Sequence, residues 1–190
     1  SLEKYRSSMS RSTIRRALSR KPQKRAALAE QIREKLKDLE PVIFESMEKA
    51  VSHVPLITLC TNATEPFFFS EHAMTGAHIN AVGAIVPSRG ELGDDIFPRC
   101  DEIVVDTLTG VQTQSREFID YFDGGKRSWE RVRSLSSFIK EDTCRRTNTD
   151  LTLFKSMGMG ISDLAVASQI LKSCSGKNAG HELPTRRRMT

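Results

Sequence analysis

Apolar residues along this chain fall into short continuous runs, separated by segments with helical spacing. The runs have the length of strands and lie at 13–18, 41–44, 56–60, 77–83 and 102–106. Continuous apolar runs are typical of strands buried on both faces of a sheet. Helical spacing occurs at 23–37, where Leu28, Ile32 and Leu36 recur every fourth residue, and at 45–53. This alternation predicts parallel crossover units and a doubly wound, mostly parallel α/β sheet.

The pattern beyond residue 107 predicts helices. Two candidates lie at 116–122 and 129–139, on either side of a flexible 123–125. A final helix from Gly158 onward carries one apolar stripe, formed by Ile161, Leu164, Ala165, Ser168 and Leu171. Residues 175–190 show no periodicity. Residues 1–174 are therefore expected to form the domain, and the basic tail 175–190 to be disordered.

Composition excludes several classes of protein. The length of 190 residues suits one domain, and a hydrophobic fraction of 38% excludes wholesale disorder. No apolar run approaches the roughly 20 residues that span a bilayer, and no secretory leader is present, so a cytoplasmic protein without membrane contact is expected. The four cysteines are too scattered for a zinc site or a disulfide scaffold, and no metal site is predicted.

Charge is distributed unevenly. Residues 1–37 carry 12 Lys and Arg against 3 Asp and Glu, whereas residues 38–174 carry 13 against 20. Nucleic-acid binding through the basic stretch is the weakest of the functions considered, because only Tyr5 could stack on a base there. The acidic segment that follows would also repel phosphates. No nucleic-acid partner is expected.

Ligands bind open parallel sheets at the carboxyl ends of the strands, and two polar segments follow predicted strands. Arg20 and Lys21 come after the first run. Cations there would favour the 2′-phosphate of NADP(H) over NAD(H), although a solvated helix start is an equal alternative. Thr61 follows the run 56–60 and suits contact with a nucleotide ribose, but an ordinary turn closed by Pro66 is the simpler interpretation.

The segments 76–92 and 153–163 hold the remaining candidates. His78 stands inside an apolar run, where a polar group needs partners, and a structural role is favoured over a catalytic one. Gly83 permits close backbone approach, for example to a flat ring. Gly158 and Gly160 open the last helix, whose N–H groups could hold an anion unless the segment is a hinge. The residues alone therefore predict a nucleotide-binding α/β domain, and no catalytic residue is assigned.

Four motifs carry a resemblance to a known family. They are TNATEP at 61–66, GAHINAVGA-x-x-P-x-x-x-EL at 76–92, IVVD at 103–106, and TLFKSMGM-x-x-x-D at 152–163. In this order and spacing they resemble the ornithine cyclodeaminase/mu-crystallin family, over roughly residues 13–174. The resemblance implies a Rossmann-like domain, a bound NAD(P)(H) and a homodimer for the full-length protein. It also implies hydride transfer at the carbon that bears nitrogen in an amino acid or cyclic imine.

The resemblance also assigns roles to individual residues. The implied cofactor contacts are Arg20, Lys21, Thr61, Val82, Gly83 and Ser156, and the implied substrate contacts are Arg89, Met157 and Gly158.

Two departures from the family pattern bear on function. Ile85 stands where the cyclodeaminases carry a proton-handling aspartate, and family ketimine reductases also lack it, so imine reduction is favoured over ornithine cyclodeamination. The family's first strand and glycine-rich loop are not found, and the chain is expected to be a C-terminal fragment. A catalytically inactive nucleotide-binding or small-molecule-binding fragment is the alternative.

Overall fold

The computed structural model describes residues 15–17, 22–35, 40–123, 128–141, 145–177 and 181. Its strands are β1 (Arg15–Ala17), β2 (Pro41–Ile43), β3 (Leu56–Leu59), β4 (His78–Ala81), β5 (Cys100–Val105), β6 (Val132–Ser134) and β7 (Leu151–Lys155). Its helices are α1 (Pro22–Lys35), α2 (Met47–Val51), α3 (Leu108–Gln114), α4 (Arg116–Phe122), α5 (Leu135–Lys140) and α6 (Gly160–Cys174). Short 3₁₀ turns occupy Ser70–His72, Asp94–Arg99 and Trp129–Arg131.

The described strands form two parallel sheets. β1 pairs with β2, and the other five run in the order β3-β4-β7-β5-β6. One face of the larger sheet packs against Val111 of α3 and Phe118 and Phe122 of α4. On the opposite face, Phe138 of α5 lines a cavity together with Val104 and Phe154 of the sheet. The doubly wound parallel α/β prediction is thereby confirmed.

The core lies on the α3 and α4 face of the sheet. Ile79, Ile103 and Leu153 of the three central strands are at most 1% exposed there. Phe97 packs edge-on against Phe118 with ring centroids 5.0 Å apart. Because apolar burial contributes about 25 cal/mol per Å², this cluster fixes the strands in register and places their carboxyl ends at one level.

The prediction that the chain is purely helical beyond residue 107 is wrong. β7 is the central strand of the larger sheet, and β6 forms its edge. The predicted helix 129–139 is divided into a 3₁₀ turn, β6 and α5. The division falls at Ser134, whose side chain accepts the N–H of Ser137 at 3.2 Å and so caps the start of α5. The helix α3 was not predicted from the pattern.

The N-terminal elements agree with the pattern in type. α1 is confirmed as a helix, although its face differs from the predicted stripe: Ala29 is fully buried, Leu28 is 42% exposed, and Leu36 lies outside the described residues. The predicted strands 41–44, 56–60, 77–83 and 102–106 correspond to β2, β3, β4 and β5 with shifted ends. The spacing of apolar residues predicts a helix, but it does not say which face of the helix will be buried. That depends on packing against other elements.

The final helix is confirmed as α6, and its apolar stripe is exposed. Leu164 and Leu171 are 61% and 71% exposed, so the stripe does not pack on the sheet. Of the tail predicted to be disordered, all but 175–177 and 181 lies outside the described residues. No helix in the described part of the chain is both long enough and apolar enough to cross a membrane.

Candidate functional site

Four neighbouring strands of the larger sheet end side by side. Leu59 is in register with Ala81, Ala81 with Lys155, and Lys155 with Val105. Backbone hydrogen bonds continue one residue further, because Val82 donates to Leu59 O at 2.9 Å and Ser156 donates to Ala81 O at 3.1 Å. We call the residues that follow these strands, 60–62, 82–85, 106–107 and 156–158, the carboxyl edge.

Glu91 joins two of these strand ends. Its carboxylate accepts the N–H and the hydroxyl of Thr61 at 2.6 and 2.8 Å, and the N–H of Gly83 at 2.9 Å. The side chain is fully buried. Three donors therefore hold one carboxylate between the ends of β3 and β4, which fixes the spacing of the two loops.

Position 83 requires glycine because the backbone of Thr61 and the carboxylate of Glu91 lie too close for a side chain there. A Cβ at this position would lie 2.3 Å from the carbonyl oxygen of Thr61 and 2.4 Å from the carboxylate of Glu91. Real Cβ atoms do not approach so closely, and the backbone oxygen of Thr61 cannot turn aside. The close approach predicted for Gly83 is thus present, and its partner within the chain is Thr61.

A second buried carboxylate anchors the Glu91 segment. Glu117 of α4 accepts the N–H groups of Glu91 and Leu92, the latter at 2.7 Å. Its other oxygen accepts from Lys155 Nζ at 2.9 Å, and the same ammonium donates to Ala84 O at 2.7 Å. The Lys155 and Glu117 side chains are 0% and 1% exposed. A charge buried this deeply requires a paired, hydrogen-bonded partner, and this pair ties α4 to the ends of β7 and β4.

Asp106, at the end of β5, holds the loop that follows β7. Its carboxylate accepts the hydroxyl of Ser156 at 2.8 Å, the N–H of Met157 at 2.9 Å and the N–H of Gly158 at 2.8 Å. Gly158 has φ +82, a left-handed backbone that favours glycine. The turn into α6 is therefore shaped by one carboxylate and one glycine.

Seven of the nine sequence-predicted site residues meet at or beside the carboxyl edge. Thr61, Val82, Gly83, Ser156, Met157 and Gly158 follow the aligned strand ends. Arg89 belongs to the loop after β4, and its guanidinium donates to Asn62 Oδ1 at 3.1 Å. The remaining two, Arg20 and Lys21, lie outside the described residues.

An exposed apolar patch begins within the carboxyl edge and continues just beyond it. Ile85 and Val86, which follow Gly83 and Ala84, are 39% and 37% exposed. The polar side chains of Asn62 and Arg89 stand on the neighbouring loops. A surface that combines apolar area with a few polar groups suits a flat, partly charged ligand.

His78 lies on the other face of the sheet and has partners for both ring nitrogens. Nδ1 is 2.7 Å from Thr152 Oγ1, and Nε2 is 3.1 Å from Asn80 Oδ1. Burial lowers the pKa of His78, opposed by its hydrogen bond with Asn80. These contacts agree with the structural role favoured for this histidine.

A cavity of about 900 Å³ lies against that face and includes His78, Asp101, Phe138 and Thr152 among its lining residues. His78, Asp101 and Thr152 are near the amino ends of their strands, while Val104 and Phe154, which also line the cavity, are one residue before the carboxyl ends. Within the described residues, no group of three or more His, Cys, Asp and Glu side chains is placed to hold a metal ion.

Sequence reasoning did not assign roles to the carboxylates and the ammonium that organise the edge. The quoted motifs EL, IVVD and FKS contain Glu91, Asp106 and Lys155. Membership of these motifs was the sequence signal that could have marked the three residues as part of the site. Glu117 carried no comparable signal, because a lone glutamate in an amphipathic helix is ordinarily solvated. Its role follows from the tertiary contact between α4 and β7.

Comparison with known proteins agrees with this geometry. The chain matches the sequence profile of the Ornithine cyclodeaminase/mu-crystallin family over residues 4–178. It is 34% identical over 133 residues to the ketimine reductase mu-crystallin of Mus musculus, a match that covers 70% of this chain and 40% of the mouse protein. It is 26% identical over 167 residues to a Delta(1)-pyrroline-2-carboxylate reductase of Bacillus cereus, with 87% and 51% covered.

A solved structure shares the fold. The Delta(1)-pyrroline-2-carboxylate reductase of Thermococcus litoralis, in complex with NADH and L-proline, has a TM-score of 0.76 at 26% identity. That match covers 86% of this chain and 50% of the other. The chain thus spans about half the length of these relatives. On the family profile, the sequence relatives and the Rossmann-like sheet, the chain belongs to the ornithine cyclodeaminase/mu-crystallin family.

Proposed function

We propose that this chain forms the cofactor-binding part of an NAD(P)-dependent reductase that acts on a cyclic imine or its amino-acid product. The observation that carries the proposal is the convergence of Thr61, Val82, Gly83 and Ser156 on aligned, parallel strand ends. This is the position at which open α/β sheets bind nucleotides. The named relatives are a ketimine reductase and two pyrroline-2-carboxylate reductases. The structure of the Thermococcus litoralis enzyme contains NADH.

The residues present fit a nicotinamide cofactor. Ile85 and Val86 offer exposed apolar area beside Gly83, and a ring can lie close to a residue that has no side chain. Thr61, Val82, Gly83 and Ser156 would hold the cofactor, while Arg89, Met157 and Gly158 would face the substrate. When bound, the cofactor supplies the hydride that is added to the carbon of the C=N bond.

The chain's own residues orient and shield this reaction. Glu91 fixes the Thr61 and Gly83 backbones, and Asp106 fixes the segment from Ser156 to Gly158. Both act by holding atoms in place before any ligand arrives, which lowers the entropic cost of reaching a reactive geometry. Neither carboxylate is free to move, because each accepts at least three hydrogen bonds.

Ile85 favours a reductase over an ornithine cyclodeaminase. Its side chain is 39% exposed beside the carboxyl edge, at the position where cyclodeaminases of the family carry an aspartate. A hydrocarbon there can shape the site and exclude water, but it cannot carry a proton. This difference favours imine reduction over ornithine cyclodeamination.

NADP(H) is proposed in preference to NAD(H). The preference rests on Arg20 and Lys21, which follow β1 in sequence, because guanidinium and ammonium groups pair with a 2′-phosphate. We also propose that the functional protein is a cytoplasmic homodimer. This chain spans about half the length of the relatives. In this proposal, a segment that corresponds to their other half supplies further substrate contacts.

Fluorescence titration with NADPH, followed by an assay with a cyclic ketimine, tests the proposal. We expect saturable NADPH binding and ketimine-dependent NADPH oxidation. Binding without turnover of a cyclic ketimine would contradict the reductase assignment and support a binding protein. If the chain binds neither NADPH nor NADH, both the reductase assignment and the binding-protein alternative are contradicted.

An arginine comparison tests the cofactor preference. Arg20→Ala should weaken NADPH binding about tenfold or more and leave NADH binding unchanged. Arg33→Ala is the control, because Arg33 is an exposed residue of α1 paired with Glu30 and Glu40. Equal weakening of both cofactors by Arg20→Ala would contradict the assigned role.

A further inference from the structure

Glu91 places an uncompensated negative charge under the carboxyl edge. Its side chain is fully buried, and both carboxylate oxygens face N–H donors, from Thr61 and Gly83. Among the described residues, no Lys, Arg or His nitrogen lies within 4.0 Å of this carboxylate. Two N–H groups and one hydroxyl therefore hold this carboxylate, and no described cation is in contact with it.

The other buried charges nearby cancel. Lys155 and Glu117 form a pair with 2.9 Å between nitrogen and oxygen, and neither is solvent-exposed. Glu117 also receives the N–H groups of Glu91 and Leu92, so the two carboxylates belong to one connected network. The network holds two carboxylates and one ammonium, which leaves one excess negative charge when all three are ionised. Buried charge acts at longer range than exposed charge because water screens it less.

We propose that Glu91 tunes the site toward the oxidised cofactor and thereby assists hydride transfer to the imine. The proposal rests on the proposed function, in which Val82 and Gly83 would be cofactor contacts and the nicotinamide ring would lie close to Gly83. The ring is neutral in NADPH and carries a positive charge in NADP⁺. A fixed carboxylate that is hydrogen-bonded to Gly83 therefore stabilises the oxidised form more than the reduced form.

The same charge bears on the reaction. When hydride passes from the reduced ring to the imine carbon, the C–H bond to the ring breaks and a C–H bond to the substrate forms. The ring would be oxidised to the pyridinium cation, and the C=N bond, protonated at nitrogen by a proton taken from solvent, would be reduced to an amine. Because positive charge develops on the ring in this step, Glu91 lowers the barrier to reduction through electrostatics, without touching the substrate.

The ratio of the two dissociation constants, Kd for NADP⁺ over Kd for NADPH, tests this proposal without relying on turnover. Glu91→Gln removes the charge and keeps the size of the side chain. We expect the ratio to rise about tenfold, equivalent to about 1.4 kcal/mol. Glu91→Asp keeps the charge and shortens the reach, so it should weaken both ligands together and leave the ratio unchanged.

Glu102→Gln is the matched control. Glu102 is a partly buried carboxylate near the start of β5, paired with Arg133 at 3.2 Å and remote from the carboxyl edge. Its substitution changes the net charge equally and should leave the ratio within twofold. Each protein is checked for cooperative unfolding before titration, and sucrose is added to all of them if Glu91→Gln is too unstable at 25 °C.

Two results would overturn the tuning role. One is a folded Glu91→Gln protein whose ratio stays within twofold of the wild-type ratio. The other is a shift caused by Glu91→Asp as large as that caused by Glu91→Gln, since geometry rather than charge would then be responsible. Failure of the wild-type chain to bind either form would instead contradict the proposed function itself.

Discussion

Lys155 and Glu117 form an ion pair with 2.9 Å between Nζ and Oε2, with side chains 0% and 1% exposed. Lys155 is the last residue of β7 and Glu117 lies in the first turn of α4, 38 positions away in sequence. The pair, with the Ala84 carbonyl and the Leu92 N–H, joins four segments of chain below the candidate site. The arrangement of that site therefore depends on a buried ion pair directly beneath the carboxyl edge.

Breaking this pair is predicted to destabilise the protein strongly. Lys155→Met leaves a buried, unpaired carboxylate at Glu117, which typically costs about 3–5 kcal/mol in the free energy of unfolding. Chemical denaturation of both proteins measures the loss. As a control, Arg33→Met removes the exposed pair with Glu30 and should cost less than about 1 kcal/mol. A loss below 1 kcal/mol for Lys155→Met would contradict the role of the pair.

Gly83→Ala is predicted to disrupt the approach of β4 to β3. The added methyl group would meet the backbone oxygen of Thr61 at 2.3 Å, and relieving that clash should cost about 3 kcal/mol in the free energy of unfolding. Gly160→Ala is the matched control, since nothing lies within 4 Å of a Cβ there. Its unfolding free energy should stay within about 0.5 kcal/mol of wild type. Equal effects of the two substitutions would show that the close approach is unimportant.

Asp106→Asn is predicted to loosen the segment from Ser156 to Gly158. The Asn side chain is uncharged and accepts the Met157 and Gly158 N–H groups more weakly than the carboxylate does. The backbone N–H groups of Met157 and Gly158 should therefore exchange with solvent faster. Hydrogen exchange read at single residues measures the change. Asp101→Asn is the control, because Asp101 accepts the Asp150 N–H near the opposite ends of the strands. Unchanged protection in Asp106→Asn would contradict this assignment.

The stability of the fold is predicted to fall as the pH drops below about 6.5 through the titration of His78. Burial lowers the pKa of His78 below the ordinary histidine value of 6.5, so the unfolded chain binds the proton more readily than the folded chain. Stability from this group is complete above the unfolded pKa and declines between that value and the lower folded pKa. The free energy of unfolding of His78→Gln should depend less on pH across this window. An identical dependence in both proteins would assign the effect to other groups.

Two strands of the larger sheet, β6 and β7, were not predicted from the sequence, whereas β3, β4 and β5 were. β3, β4 and β5 were recognisable because the runs 56–60, 77–83 and 102–106 each hold several apolar residues bounded by turn or polar signals. β7 alternates buried and half-buried positions and ends in Lys155. The segment 153–163 was therefore expected to lead into the final helix and not to form a strand. A lysine at the end of a central strand makes sense only once Glu117 is beside it. That pairing depends on tertiary structure.

The candidate site was predicted from motifs, and its physical organisation was not. Thr61, Gly83 and Ser156 were singled out as cofactor contacts, and the structure brings them to the same edge of the sheet. The same structure shows the Thr61 and Gly83 N–H groups engaged by Glu91, and the Ser156 hydroxyl engaged by Asp106. Their assignment as ligand contacts stays a prediction. Which donors are already occupied cannot be deduced from residue types and spacing.

Hydrogen exchange of the 190-residue chain with and without NADPH tests the location of the site most directly. The account predicts added protection at 60–62, 82–85 and 156–158, which form the carboxyl edge with 106–107. Residues 145–152, beside the cavity on the other face of the sheet, should be unaffected. Protection confined to that cavity, or no protection anywhere at saturating NADPH, would contradict the account.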